Sequence, residues 1–191
     1  MGMAGLQTFS FEPGLVRPLK RSEYDRLIEL GVFDDERVEL IQGVLVKRSP
    51  QEAPHASTVQ KLTKLLMTRL QERGSVRSQL PLALSDDTEP EPDVAVVPLG
   101  DYETEHPHTA LLIIEVADSS LKKDRGKAAV YASAGIAEYW IVNLGARTVE
   151  AYSSPEGDRY AEVRTLRTGD TLRPLALPDV AIAVAEILPK A

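Results

Sequence analysis

Apolar and polar positions along this 191-residue chain change period several times, and each change marks an element. From Ser22, with Asp25 three residues on in the manner of a capping start, Tyr24, Leu27, Ile28 and Leu30 recur at helical spacing as far as Gly31. A short helix is predicted over residues 22–30. Arg37–Ile41 and Val44–Arg48 alternate in the strand manner on either side of Gln42-Gly43, which predicts a hairpin with a tight turn. Between His55 and Arg73, Val59, Leu62, Leu65, Leu66 and Leu70 gather on one helical face and Lys61 and Lys64 fall toward the other, with Gly74 as the expected end.

Val76–Leu84 reads as one extended stretch, followed by an acidic, proline-broken loop, Asp86–Pro92, and a compact strand, Asp93–Val97. Leu111–Val116 is apolar on both faces apart from Glu115, the mark of a central strand covered on each side. Lys122–Ala134 predicts a short helix ended by Gly135, and Glu138–Leu144, Thr148–Ser153 and Tyr160–Leu166 predict further strands before a last short element, Asp179–Leu188. Strands outnumber helices, and the two stronger helices flank the run of strands. The expected class is α/β (α+β mixed): a mixed central β-sheet flanked by helices, with additional outer strands, in one domain over residues 1–191.

Composition narrows the function classes. Hydrophobic residues at 43% suffice for a core, and no run approaches the roughly 18 apolar residues of a membrane span. The chain has no cysteine, which excludes thiol catalysis, disulfides and cysteine-bound zinc. Residues Met1–Glu12 lack the features of a secretory signal, so a cytoplasmic location is expected. A net charge of -7 argues against coating nucleic acid by general attraction. The distribution is uneven: residues 85–105 hold eight acids and no base, whereas residues 56–79 carry five Lys and Arg against Glu72 alone. These segments are either solvated faces or places for a cation and for phosphates.

The candidate chemistry centres on two carboxylates. Glu115 follows four aliphatic residues in the most buried-looking strand, where an ionised acid needs compensation. Asp93 heads another apolar strand directly after Pro92, so the two acids are expected to converge from neighbouring strands. Such a pair attracts either a cationic side chain or a hard divalent ion; magnesium is commonly held by one or two carboxylates, waters and substrate phosphate. Lys127, on the following helix, is placed to face the same point, where a lysine can orient or help deprotonate the water that attacks phosphorus. On pattern alone, a structural ion pair and a metal site both remain open.

The ordered series Pro92-Asp93, Ile114-Glu115-Val116-Ala117-Asp118-Ser119-Ser120, Asp124-Arg125-Gly126-Lys127, Tyr131-Ala132 and Gly135–Asn143 resembles the Uma-two family. These are bacterial endonucleases placed in the PD-(D/E)XK superfamily. Upstream, Glu39–Gly43, Ser49-Pro50, His55 and Gln79 extend the resemblance to about residues 20–188. It implies a restriction-endonuclease-like core acting on DNA with Mg2+ (or Mn2+) held by Asp93 and Glu115, and Glu39 reaching the same site. Where the superfamily motif has its lysine, this chain has Ala117; the resemblance passes that role to Lys127, with Lys122 and Lys123 as candidates if the helix is phased differently. His55 is implied to contact phosphate or water, and Gln79 the metal or substrate. Lys61, Lys64 and Arg77 are candidate substrate contacts. His106 and His108 read as surface residues, and Tyr139-Trp140 as packing.

Three function readings follow. The first is a divalent-cation-dependent endonuclease, expected to be a homodimer by analogy with enzymes that cut both strands. The alternative is a catalytically inactive nuclease-fold module that binds nucleic acid or protein, since fold alone does not guarantee activity. A weaker third is a metal-dependent phosphoesterase for small substrates.

Overall fold

The computed structural model describes residues 15–48 and 51–189; Ser49-Pro50 and residues 1–14 lie outside them. The chain begins with α1 (Arg21–Glu29) and a hairpin of β1 (Val38–Ile41) and β2 (Val44–Lys47). Next come α2 (Ala53–Leu70), β3 (Ser75–Arg77), β4 (Val94–Val97), β5 (Leu112–Ala117), α3 (Leu121–Ser133) and β6 (Glu138–Asn143). The order closes with β7 (Thr148–Glu156), β8 (Arg159–Arg167), β9 (Thr171–Leu172), β10 (Ile182–Ala183) and α4 (Val184–Ile187).

Strands β3 to β8 form one six-stranded sheet in sequence order. Only β5 and β6 run parallel, joined by the α3 crossover; the other neighbours are antiparallel. The sheet is therefore mixed, as the patterning predicts. Strand alternation divides its two faces. Leu112, Ile114 and Val116 join Val59, Leu62, Leu66 and Leu70 of α2 in one apolar cluster, whereas Ile113 and Ala117 join Tyr131 and Ala132 of α3 in the other. Tyr139 and Trp140 are fully buried in these layers, consistent with packing. Among the described residues, no helix is long and apolar enough to cross a membrane.

Two sequence expectations need correction. The long helix does not run to Gly74: Gln71, in the left-handed region at φ 47, caps α2 at Leu70. Gly74 instead lets the chain pass close to β4, where an added Cβ would lie 3.1 Å from Val96 Cγ1 and from the Val97 carbonyl. Nor is Val76–Leu84 a continuous extended stretch. Strand β3 ends at Arg77, and Gln79 turns into the left-handed region at φ 55, where its backbone N–H donates to the carbonyls of Pro92 and Asp93 at 3.1 and 3.2 Å. The hairpin turn forms as expected, with both Gln42 (φ 50) and Gly43 (φ 74) at positive φ, as a two-residue turn matching strand twist requires.

Candidate functional site

Period-two alternation places the two acids together. Val94 pairs with Ile114 in the antiparallel β4–β5 register, and one step further along each strand Asp93 comes opposite Glu115. Both face the α3 layer. The Asp93 backbone N–H donates to Glu115 Oε2 at 3.3 Å, and the Val116 N–H donates to Asp93 Oδ2 at 2.9 Å. Each carboxylate is thus anchored by the other's strand.

Helical spacing on α3 puts Asp124, Lys127 and Tyr131 on the face toward this pair, all three buried. Lys127 Nζ donates to Glu115 Oε1 at 2.9 Å and to Glu39 Oε2 at 2.8 Å, while the Tyr131 hydroxyl donates to Glu115 Oε1 at 2.9 Å. Glu39 arrives from β1, and the Glu91 backbone N–H donates to its Oε2 at 3.2 Å. Its Oε1 is buried without a hydrogen-bond partner among the described residues, 3.7 Å from Lys123 Nζ. At the start of α2, His55 Nε2 donates to Asp93 Oδ2 at 2.9 Å, and the Gln79 side-chain amide reaches Asp93 Oδ1 at 3.5 Å.

The electrostatics follow from this crowding. Burial works to raise the Asp93 carboxyl, but the hydrogen bond and charge of His55, with the Val116 and Gln79 donors, hold it below the ordinary value. The same hydrogen bond raises His55. For Glu115 burial prevails: it pushes the carboxyl up to about 7, Lys127 offsets this only in part, and Asp93, Asp124 and Glu39 add to it. Burial by itself would lower Lys127, yet Glu115 and Glu39 outweigh it and raise its pKa, which favours the charged ammonium. Burial also raises Asp124, although Ser120 Oγ donates to it at 2.5 Å.

The structure therefore joins Asp93, Glu115, Glu39, Lys127, His55 and Gln79 in one hydrogen-bonded network. Lys123 lines the same pocket, whereas Lys122 is exposed. Lys61 and Lys64 do not touch this network; they line a neighbouring groove along α2 that also includes Gln51 and Gln79. Arg77 lies apart, its guanidinium 5.6 Å from the Tyr102 ring centroid and beside half-buried His106; His108 is exposed. Sequence reasoning misses Tyr131, Asp124 and Arg48. The spacing of 124, 127 and 131 along one helical face was the signal for the first two; Arg48 gave none.

Among the described residues, no group of three or more acidic or histidine side chains is arranged around one point as a complete metal cage, because Lys127 occupies the space between Glu39 and Glu115. The oxygen donors nevertheless suit a hard cation that keeps most of its waters. Among the described residues, Asp93 Oδ1 has only the long contact to Gln79 and Glu115 Oε2 only the Asp93 N–H, and Lys127, bound to the other oxygen of Glu115, offsets its burial only in part.

Comparison with known proteins supplies the remaining identification. A crystal structure described as "a putative nuclease belonging to DUF820", from Anabaena variabilis ATCC 29413, is similar with a TM-score of 0.72 at 14% identity, over 89% of this chain and 97% of that one. At that identity the likeness speaks for the fold alone. No curated protein sequence matches the chain. The sequence profile of the Uma2 family, described as "Putative restriction endonuclease", matches residues 21–185. This chain belongs to the Uma2 family and has its nuclease-like fold.

Proposed function

We propose that this nuclease hydrolyses phosphodiester bonds of DNA as a divalent-cation-dependent endonuclease, with Asp93 and Glu115 as the ligands of Mg2+ or Mn2+. The observation that carries this reading is the opposed pair Asp93 and Glu115, with Glu115 pushed up to about 7 by burial that the ammonium of Lys127 offsets only in part. A divalent cation there would neutralise charge on the phosphate and activate the attacking water. Lys127, held charged between Glu39 and Glu115, orients that water and stabilises charge growing on the phosphoryl oxygens. Glu39 assists by holding Lys127, His55 fixes the Asp93 carboxylate, and Gln79 contacts Asp93 or the substrate. Lys61 and Lys64 hold the nucleic-acid backbone in the adjoining groove. We place the protein in the cytoplasm and expect it to act as a homodimer.

The test is calorimetric titration with Mn2+ alongside cleavage of single- and double-stranded DNA in Mg2+, Mn2+ and chelator. Wild type should bind Mn2+ and should cut DNA only when a divalent ion is present, and Asp93→Ala and Glu115→Ala should do neither. A wild-type protein that binds no ion and cuts neither substrate ends this reading. The alternative, an inactive nucleic-acid-binding module, has one observation in its favour: Ala117 stands where the superfamily has its lysine, and Lys127 is engaged by two carboxylates. DNA binding that is equal in chelator and unchanged by Asp93→Ala favours that alternative.

A further inference from the structure

The pocket beside Asp93 contains a cation with no part in the proposed chemistry. Arg48 follows β2, and its side chain, only 8% exposed, lines the same pocket as Asp93, Glu115, Lys123 and Lys127. Its guanidinium donates through Nη1 to Glu91 Oε2. Among the described residues this is its only side-chain hydrogen bond, and Nε and Nη2 have no acceptor among them. Glu91 lies two residues before Asp93 in Glu89-Pro90-Glu91-Pro92-Asp93, and Pro92 keeps its predecessor extended, so residues 91 and 93 both line this pocket.

The charges facing the pocket make this pairing significant. A phosphodiester entering it meets Glu52, Glu91, Asp93, Glu115, Asp118 and Asp124. Of the cations, Lys127 is held at 2.8 and 2.9 Å by two carboxylates, and His55 at 2.9 Å by Asp93. Lys123 is 33% exposed and 3.7 Å from Glu39, a loosely placed point charge. Among the described residues, Arg48 alone of these cations combines a planar fork of donors, N–H groups without an acceptor among those residues and a position inside the pocket, the arrangement suited to two-point recognition of phosphate.

We propose that Arg48 is the phosphate-binding residue of this pocket, and that Glu91 holds its guanidinium until a nucleic-acid phosphodiester displaces it. This rests on the function proposed for the same pocket, and the pair thereby sets substrate affinity. Removing the cation and removing its competitor have opposite effects: Arg48→Ala loses the anchor, whereas Glu91→Gln keeps the shape, removes the competing charge and frees the fork.

The experiment is fluorescence anisotropy with a short labelled DNA duplex, measured in chelator across a salt series, with cleavage KM measured in Mn2+. Arg48→Ala should weaken binding about tenfold, the loss of one or two charge-assisted hydrogen bonds, and reduce the salt slope by about one counterion. Arg48→Lys should recover the slope but not the full affinity. Glu91→Gln should tighten binding severalfold, and that gain should vanish in the Arg48→Ala/Glu91→Gln double variant. Thermal unfolding of Arg48→Lys and Glu91→Gln close to wild type shows that the fold is retained. If Glu91→Gln weakens binding as Arg48→Ala does, the pair is structural and the proposal falls. A gain that persists without Arg48 overturns it too, as a general charge effect. DNA binding without cleavage, with these shifts intact, removes the nuclease reading and leaves the anchor standing. Cleavage whose KM is unmoved in Arg48→Ala removes the anchor alone, and no DNA binding at all removes both.

Discussion

Lys127 Nζ lies 2.8 Å from Glu39 Oε2, a contact between residues 88 positions apart that ties the N-terminal hairpin to the helix following the central strand. The same ammonium is the main compensation for Glu115. Without it, two buried carboxylates share a low-dielectric site with nothing between them. Lys127→Ala should therefore destabilise the protein by about 3 kcal/mol in urea unfolding at pH 8. The loss should be smaller at pH 6, where Glu115 can hold a proton. Adding Glu115→Gln to Lys127→Met should recover much of it. Unchanged urea midpoints in Lys127→Ala would show that the contact does not organise the site.

Much of this assembly is legible in the sequence because it rests on short periodicities. Period two along Asp93–Val97 and Leu112–Ala117 assigns Asp93 and Glu115 to one sheet face once the strands pair, and helical spacing brings Lys127 and Tyr131 over them. The remainder depends on contacts that no local pattern encodes. Glu39 and Arg48 reach the pocket because backbone bonds between Leu40 and Glu89 dock the hairpin against the proline-rich loop. Gln79 reaches Asp93 only because a non-glycine residue adopts a left-handed conformation, which alternation reads as unbroken strand.

The contact between His55 and Asp93 carries a pH signature. The folded-state pKa of His55 is raised above 6.5, so its contribution is fully present below 6.5 and is lost as pH rises through the higher folded value. Asp93 is lowered below 3.8, so its share is present above 3.8 and lost as pH falls through the lower folded value. The stability advantage of wild type over His55→Gln should be greatest between these limits, on the order of 1 kcal/mol, and should shrink above neutrality. A difference between the two proteins that stays constant from pH 5 to about pH 9 would mean that the ring acts only by packing.

Glu89 should act in the opposite sense. It is 3% exposed, burial followed by Asp25 pushes its carboxyl up to about 7, and Arg21 at 3.9 Å only partly offsets this. The folded state therefore keeps a proton that the unfolded chain releases near 4.5, so stability falls as pH climbs from there past about 7. Glu89→Gln cannot ionise. It should match wild type at low pH and gain on the order of 2 kcal/mol over it at high pH, read from denaturant midpoints across the range. Parallel curves for the two proteins would assign the slope elsewhere, with Glu115, also near 7, the first group to examine.

Lys61 and Lys64 belong to a different part of the proposed surface. They line the groove along α2 that shares Gln51 with the pocket and Gln79 with the network around Asp93, so a strand leaving the pocket can run past them. Contacts of this kind neutralise phosphates without reading bases. Lys61→Gln/Lys64→Gln should therefore weaken binding to all DNA sequences alike and lower the salt slope by roughly two counterions. Because neither lysine touches Asp93 or Glu115, Mn2+ affinity should stay at the wild-type value. An unchanged salt slope would direct the strand away from α2, whereas a loss of Mn2+ binding in the double variant would mean that the groove and the carboxylate pair are one site.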